Sequence, residues 1–439
     1  MNMRSGYMKK YAIANANIIT GKLGDGVQNG KYIVVEDGKI AKITSDKAAI
    51  DGLKVVDLNG KYLLPGLINL HVHLPGSGMP KDTKKQNKKT VRFLMDHAIT
   101  KQIVYRLCAN YAKVELMSGV TTIRTVGGLD DIDSKIRDNG AKGKLKAPRV
   151  IASNMAVSVE NGHMAGVLAY EAKDAEDGRR YVREIAKTKP DLIKLMITGG
   201  VLDAKKEGEP GVLRMSPEIV KACCDEAHKL GFKVAAHVES PLGVTVALEG
   251  GVDTIEHGAN IGEHEIALFK QNGSAHVLTI SPTIPLCMFD LSVSGGTPLH
   301  KVNGKVVFEG MLDCAKKCLE NDIPVGLGTD TACPFVTHYD MWRELRYFQK
   351  YLGVSNEFAI HTATEVNAQI ACIDKKTGRL YGCGQQPSRK SGSIAHAQNG
   401  RVARQCDKKS ESQKIPIRRR RIGHVRKMTK SGAIRTALF

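Results

Sequence analysis

The 439 residues are 42% hydrophobic and 25% charged, with 44 Gly, 15 Pro and one Trp. That balance excludes collagen-like, low-complexity and wholly disordered chains, and the length predicts two or three domains or one α/β barrel filling most of it. No run of about 18 apolar residues could span a bilayer, and Met1–Thr20 lacks the apolar core of a signal peptide, so a cytoplasmic location is expected.

The net charge of +20 would suit a nucleic-acid partner if it were spread over the chain. Residues 382–439, however, hold 15 Lys and Arg, including the run Arg418–Arg421, against Asp407 and Glu411. That tail is +13 and the first 381 residues only +7, so the body has an ordinary enzyme-like surface. The ten cysteines are scattered without a CxxC pair and read as free, mostly buried thiols.

From the N-terminus, Ala12–Thr20, Tyr32–Glu36, Lys39–Ile43 and Lys54–Asp57 are β-rich runs separated by Gly, Asn and Asp turns. The rhythm changes at Leu67. Buried-type strands are expected at Leu67–Leu74, Val120–Val126, Arg149–Ser153, Leu192–Thr198, Lys233–Val238, Thr254–His257, His276–Ser281 and Pro324–Asp330. Amphipathic helices lie between most of them, at Thr100–Ser118, Asp174–Thr188, Ser216–Leu230, Pro241–Glu249, Glu263–Asn272 and Glu309–Asn321. Eight strands with intervening helices predict an α/β fold of the (β/α)8 TIM-barrel type. An open doubly wound sheet competes, but no GxGxxG turn follows a first strand.

Histidines and a carboxylate cluster at the predicted strand ends. His71 and His73 are two apart on one strand, so both imidazoles project to the same side. His237 and His257 each close an apolar or β-branched run at the C-terminal face, where barrels place their active sites. Asp330 ends the last strand, where a carboxylate can ligate a cation and move a proton. Lys194 sits inside Asp191–Ile197, a run in which a free ammonium would carry an uncompensated desolvation cost. Such a site favours the neutral amine, which can add carbon dioxide to give a carbamate with two oxygens able to bridge two metals.

These residues, within Pro65–His73, Ile193–Lys194, Ala236–His237, Thr254–Gly258 and Gly328–Asp330, resemble the amidohydrolase superfamily, in its prolidase-like and imidazolonepropionase-like branch. The resemblance covers about residues 8–380 and implies two divalent ions. His71, His73 and Asp330 would hold one, His237 and His257 the other, with carboxylated Lys194 bridging them. Zinc suits this ligand set, with manganese, cobalt and iron open. The ions would activate a bridging water, and Asp330 would take its proton and pass it to the departing amine. His163, in Asn161–Gly166, matches a family histidine that contacts substrate, and Gly199 and Gly200 match family glycines that let the backbone approach it.

The division that follows is 1–65, the first part of a small β-sandwich domain; 66–370, the barrel; and 371–439, a return toward the sandwich that gives way to a basic tail. The expected activity is hydrolysis of an amide bond in a small or dipeptide-like substrate, most like an Xaa-Pro dipeptidase. A mononuclear deaminase or cyclic-amide hydrolase and, in another class, a nucleic-acid-binding protein acting through the tail are the alternatives. No nucleic-acid or membrane partner is expected, and the oligomeric state is open.

Two departures from the family bear on this. Where prolidases commonly carry an aromatic, this chain has Glu239, which would repel a substrate carboxylate and suits a cationic group instead. Tyr105 and Arg106 on the helix Thr100–Ser118 are the candidates to meet a carboxylate. In the tail, Asp374–Leu380 leads toward the family's closing strands and the pattern then collapses. Read one nucleotide over, Ser388–His396 is compatible with Ala-Gly-Lys-Ala-Asp-Leu-Leu-Leu, so residues from about Tyr381 onward are expected to be an out-of-frame translation.

Overall fold

The computed structural model describes residues 10–80, 88–374 and, for the backbone alone, 380–382. The Arg418–Arg421 run and the expectations for the rest of the tail lie outside the described residues.

The N-terminal strands form two small sheets. In one, Lys10–Ala14 pairs antiparallel with Tyr32–Glu36 and parallel with Lys54–Asp57, and Lys39–Thr44 flanks Tyr32–Glu36. In the other, Asn17–Ile19 lies between Val27–Gln28 and Tyr62–Pro65, with Leu380–Gly382 antiparallel on the far side of Tyr62–Pro65. The single strand expected over Ala12–Thr20 is thus two strands. Asn15, at φ 52°, turns the chain between them, a conformation Asn tolerates better than most residues. The turn lets Ile13 and Ile18 share one core with Ile33, Val35 and Leu63.

The barrel strands are β1 (Leu67–Val72), β2 (Val120–Thr125), β3 (Arg149–Ile151), β4 (Ala156–Val159), β5 (Leu192–Met196), β6 (Lys233–Val238), β7 (Thr254–His257), β8 (Ala275–Leu278) and β9 (Val325–Leu327). All neighbours pair in parallel, and Val72 closes the ring through a parallel bridge to Thr331. β3 and β4 together make the third stave. β3 pairs with β2, the chain bends at Asn154 (φ 58°), and β4 then reaches β5 at Val157 and Leu195. Asn154 locks that bend by donating to Ser134 Oγ at 2.5 Å and Thr188 Oγ1 at 2.8 Å. The strands are buried along nearly their whole length, and polar residues such as Asn69, Arg124, Lys194 and Glu256 are buried within them beside the apolar ones.

The helices that wrap the barrel include α1 (Ala98–Met117), α2 (Ile132–Ala141), α3 (Ala175–Lys187), α4 (Pro217–Lys229), α5 (Pro241–Glu249), α6 (Glu263–Asn272), α7 (Pro298–Glu320) and α8 (Met341–Leu352). α7 begins well before the expected Glu309. Its start is set by Pro298 in the first turn and by Thr297, whose hydroxyl accepts the His300 N–H at 3.2 Å. No helix among the described residues is long and apolar enough to cross a membrane, and their cysteines are all free thiols.

Candidate metal centre

Five staves deliver the polar side chains of the site. β1 carries His71 and is followed by His73; β5 carries Lys194, β6 His237 and β7 His257; Asp330 follows β9. His257 and Asp330 both have left-handed backbones, at φ 68° and 54°. Strain of that kind is held only where packing over-determines it, and here it turns the chain at the strand ends while keeping both side chains on the cavity. The imidazoles form a continuous run. Ring centroids are 5.3 Å apart for His73–His71, 4.8 Å for His71–His257, 4.6 Å for His257–His237 and 4.2 Å for His237–His163.

On this cavity two groups can each hold a cation. Ligand atoms of His71, His73 and Asp330 lie within 4.8 Å of one another, and so do those of His237, Glu239 and His257. The hydrogen bonds behind them select which nitrogen faces the cavity. His71 Nδ1 donates to Glu256 Oε2 at 2.7 Å, His73 Nδ1 to the Gly127 carbonyl at 2.9 Å, and His257 Nδ1 meets Thr279 Oγ1 at 2.7 Å. His237 is turned the other way, with Nε2 3.3 Å from the Gly199 carbonyl. Each ring therefore keeps one nitrogen for a ligand.

The electrostatics suit neutral imidazoles. Burial lowers His71 to about 4, assisted by Lys194, and burial holds His237 and His257 well below the usual range. Burial would raise Asp330, yet His71, His73 and His257 outweigh it and keep its carboxyl well below normal. Lys194 is lowered to about 8, chiefly by desolvation, and its Nζ is buried without a hydrogen-bond partner. Such an amine sheds its proton far more readily than a solvated lysine, and it opens onto the same cavity as the histidines.

The cavity opens to solvent. Its lining includes the apolar side chains of Met164, Leu168, Leu202, Leu286, Met311 and Phe335. His163 lines it with Nδ1 2.5 Å from Asp203 Oδ2, and a Cβ on Gly200 would meet the His163 ring at 3.3 Å. Gly199 supplies the carbonyl facing His237. Glu239 lies in the wall, its Oε2 accepting the Val201 N–H at 3.0 Å. Burial, with Asp330 and Asp203 nearby, pushes its carboxyl up to about 8. Tyr105 and Arg106 do not line the cavity. They lie on α1, where the Tyr105 hydroxyl accepts from Asn139 at 2.7 Å and Arg106 is exposed.

Several supporting residues escaped the sequence reading. Arg124 and Glu256 pair at 2.7 Å, and Thr254 donates to the same carboxylate oxygen at 2.6 Å. A charged residue inside a buried strand was their signal, the one that exposed Lys194. Asp203 and Cys333, which donates from Sγ to Asp330 Oδ2 at 3.3 Å, sit in loops whose sequence carries no such signal.

Several known proteins are similar to this chain. The amidohydrolase family matches residues 62–381. A solved structure assigned as a prolidase from Bifidobacterium longum is 33% identical, covers 86% of this chain and 89% of its own, and superposes with a TM-score of 0.74. An Xaa-Pro dipeptidase with methionine bound in its active site is 26% identical over 88% of this chain and 96% of its own, with a TM-score of 0.73. Ochratoxinase of Aspergillus niger is 25% identical over 364 residues, 74% of this chain and 69% of that protein.

Proposed function

The chain belongs to the amidohydrolase family, and on that footing we propose that this hydrolase of carbon–nitrogen bonds cleaves the amide of a small substrate at a paired divalent-metal site. The observation that carries the reading is the convergence of His71, His73, Asp330, His237 and His257 on the cavity into which Lys194 opens.

The residues fit such ions. His71, His73 and Asp330 would hold one, and His237 and His257 the other. The neutral amine of Lys194 would add carbon dioxide, forming an N–C bond and releasing one proton, and the resulting carbamate would bridge the pair. An unpartnered amine in a buried setting gains ligands by that change. Imidazole and carboxylate donors suit zinc first. Bound there, the ions supply Lewis acidity toward the scissile carbonyl and acidify water at neutral pH.

The protein does the rest. Asp330 takes the proton of the attacking water and delivers it to the departing amine. His163, oriented by Asp203, presents its other nitrogen to the substrate. The apolar lining excludes bulk water and receives an apolar group of the substrate. Among the described residues no arginine lines the cavity, and its one lysine is Lys194. Xaa-Pro dipeptides and related N-acyl amino acids are the first substrates to test, and bulky apolar amides that carry no carboxylate belong beside them.

The test is a hydrolysis screen of these three classes on metal-loaded protein, run beside Lys194→Ala and Asp330→Asn. Each substitution is expected to lower kcat/KM by at least ~100-fold, the low end for a positioned proton-transfer group. Turnover that survives both substitutions overturns the assigned roles. One ion per chain with an unmodified Lys194 would instead favour a mononuclear deaminase or cyclic-amide hydrolase.

A further inference from the structure

We infer that Glu239 is a ligand of the second metal ion, completing with His237 and His257 a set that holds this ion with or without a carbamate on Lys194. The inference rests on the paired-metal reading above and concerns what this chain adds to it.

The placement follows from the strand. Glu239 is two residues beyond His237 at the end of β6, so both side chains project to one side, as His71 and His73 do from β1. One ligand atom from each of His237, Glu239 and His257 falls within 4.8 Å of the others, the same spacing as in the His71, His73 and Asp330 group. The surrounding hydrogen bonds leave a complementary set of lone pairs. His237 uses Nε2 toward Gly199, His257 uses Nδ1 toward Thr279, and Glu239 uses Oε2 toward Val201. His237 Nδ1, His257 Nε2 and Glu239 Oε1 remain, and no hydrogen bond from a described residue engages them.

Charge argues the same way. Two imidazoles and an unmodified Lys194 offer a dication no anionic donor. Asp330 sits with His71 and His73, 3.5 and 3.3 Å from their Nε2 atoms. On binding, Glu239 would release its proton to the solvent and supply the missing carboxylate, which makes a two-imidazole, one-carboxylate set able to hold a first-row divalent ion. Carbamate formation then adds a bridge between ions already in place and is not required to recruit the second one.

The experiment counts and titrates metal rather than turnover. Wild type, Glu239→Gln, Glu239→Asp, Lys194→Ala and the Glu239→Gln/Lys194→Ala double variant are loaded with zinc, desalted and analysed for metal per folded chain. Second-ion affinity is read by chelator competition, and cobalt-loaded samples report the ligand set through their visible absorption. The wild type and Lys194→Ala are expected to hold two ions and the double variant one. Glu239→Gln should weaken the second ion by at least ~100-fold, beyond the roughly 10–100-fold that outer partners of a ligand command. Glu239→Asp should restore part of that affinity and the cobalt spectrum. A two-ion wild type whose second-ion affinity is untouched by Glu239→Gln, both with Lys194 intact and in the Lys194→Ala background, overturns the ligand role alone. A wild type that holds fewer than two ions overturns this inference together with the paired-metal reading, before any variant is compared.

Discussion

Glu256 Oε2 lies 2.7 Å from His71 Nδ1, and neither side chain reaches solvent. Burial works against the Glu256 charge, but Arg124 and the His71 ring hold its carboxyl well below the usual range. Arg124 is itself tied down, donating from Nε to the Leu70 carbonyl at 2.7 Å and from Nη1 to Thr254 at 3.2 Å. The floor of the site is thus a fixed Arg124–Glu256–His71 relay that aims His71 Nε2 at the cavity.

Glu256→Gln keeps the shape and removes the charge, leaving Arg124 buried beside a neutral amide. Removing one member of a buried pair costs about 3–5 kcal/mol. Loss of a ligand's outer partner costs roughly 10–100-fold in metal affinity or activity. Urea unfolding of the metal-free protein should show the first, and chelator competition the second. A variant equal to wild type in both would mean the relay is only packing.

Gly328 tests how closely β1 and β9 must approach. A Cβ there would fall 2.7 Å from the His71 nitrogen and 3.1 Å from its Cα, with His71 Cβ closer still. Backbone cannot yield as a flexible side chain can, so Gly328→Ala must part the two strands that carry His71 and Asp330. Overpacking of this kind costs typically about 1–3 kcal/mol, and the first metal group should loosen with it. Unchanged thermal stability together with unchanged first-ion affinity would contradict the close contact.

The proposed ligands stand out in the sequence because each residue breaks the chemistry of its own strand: an imidazole or ammonium among Val, Ile and Ala needs a reason. Period 2 puts His71 with His73, and it puts His237 with Glu239 in the same way. The barrel was legible because strand-like runs alternate with amphipathic helices along the chain. The bend at Asn154 was not, since its cause is tertiary: Ser134 and Thr188 complete it from distant segments. Tyr105 and Arg106 show the same limit from the other side. A polar pair on a helix does not say which face it occupies, and α1 turns Arg106 to solvent.

The frame expected for the tail can be tested through the small domain. Among the described residues the strand Lys54–Asp57 pairs on one side only, with Lys10–Ala14, and Val55 and Val56 are 43% and 36% exposed. β-branched residues left open on such an edge invite association. A gene whose frame is moved by one nucleotide after about Tyr381 should yield a more soluble, more thermostable protein whose metal content per chain is unchanged. Early stop codons in that frame, or equal solubility of the two proteins, would count against the shift.

Glu344, buried behind the site with Asp330 adding to the rise of its carboxyl, gives the stability a dependence on pH. From α8 it accepts the Ile280 N–H at 2.6 Å and the Ser281 N–H at 2.9 Å, and Ser281 Oγ lies 2.5 Å away. These bonds fix the turn after β8, and Pro282, Thr283, Pro285 and Leu286 just beyond it line the cavity. Burial pushes the Glu344 carboxyl up to about 7, with the Ser281 and Ile280 donors acting against it. The folded chain therefore keeps a proton that the unfolded chain releases near its ordinary value of 4.5. This contribution to stability is complete below that value and is lost as pH rises through 7, a change of about 3 kcal/mol at 1.36 kcal/mol per pKa unit. Glu344→Gln cannot accept from all the donors with its single carbonyl, so it should be less stable overall by about 1–3 kcal/mol. Its loss of stability between about pH 5 and 7.5 should nonetheless be shallower than that of wild type, compared as urea midpoints of the metal-free proteins. Parallel pH profiles for the two would show that Glu344 is already ionised in the fold and that its three donors, not burial, set its charge.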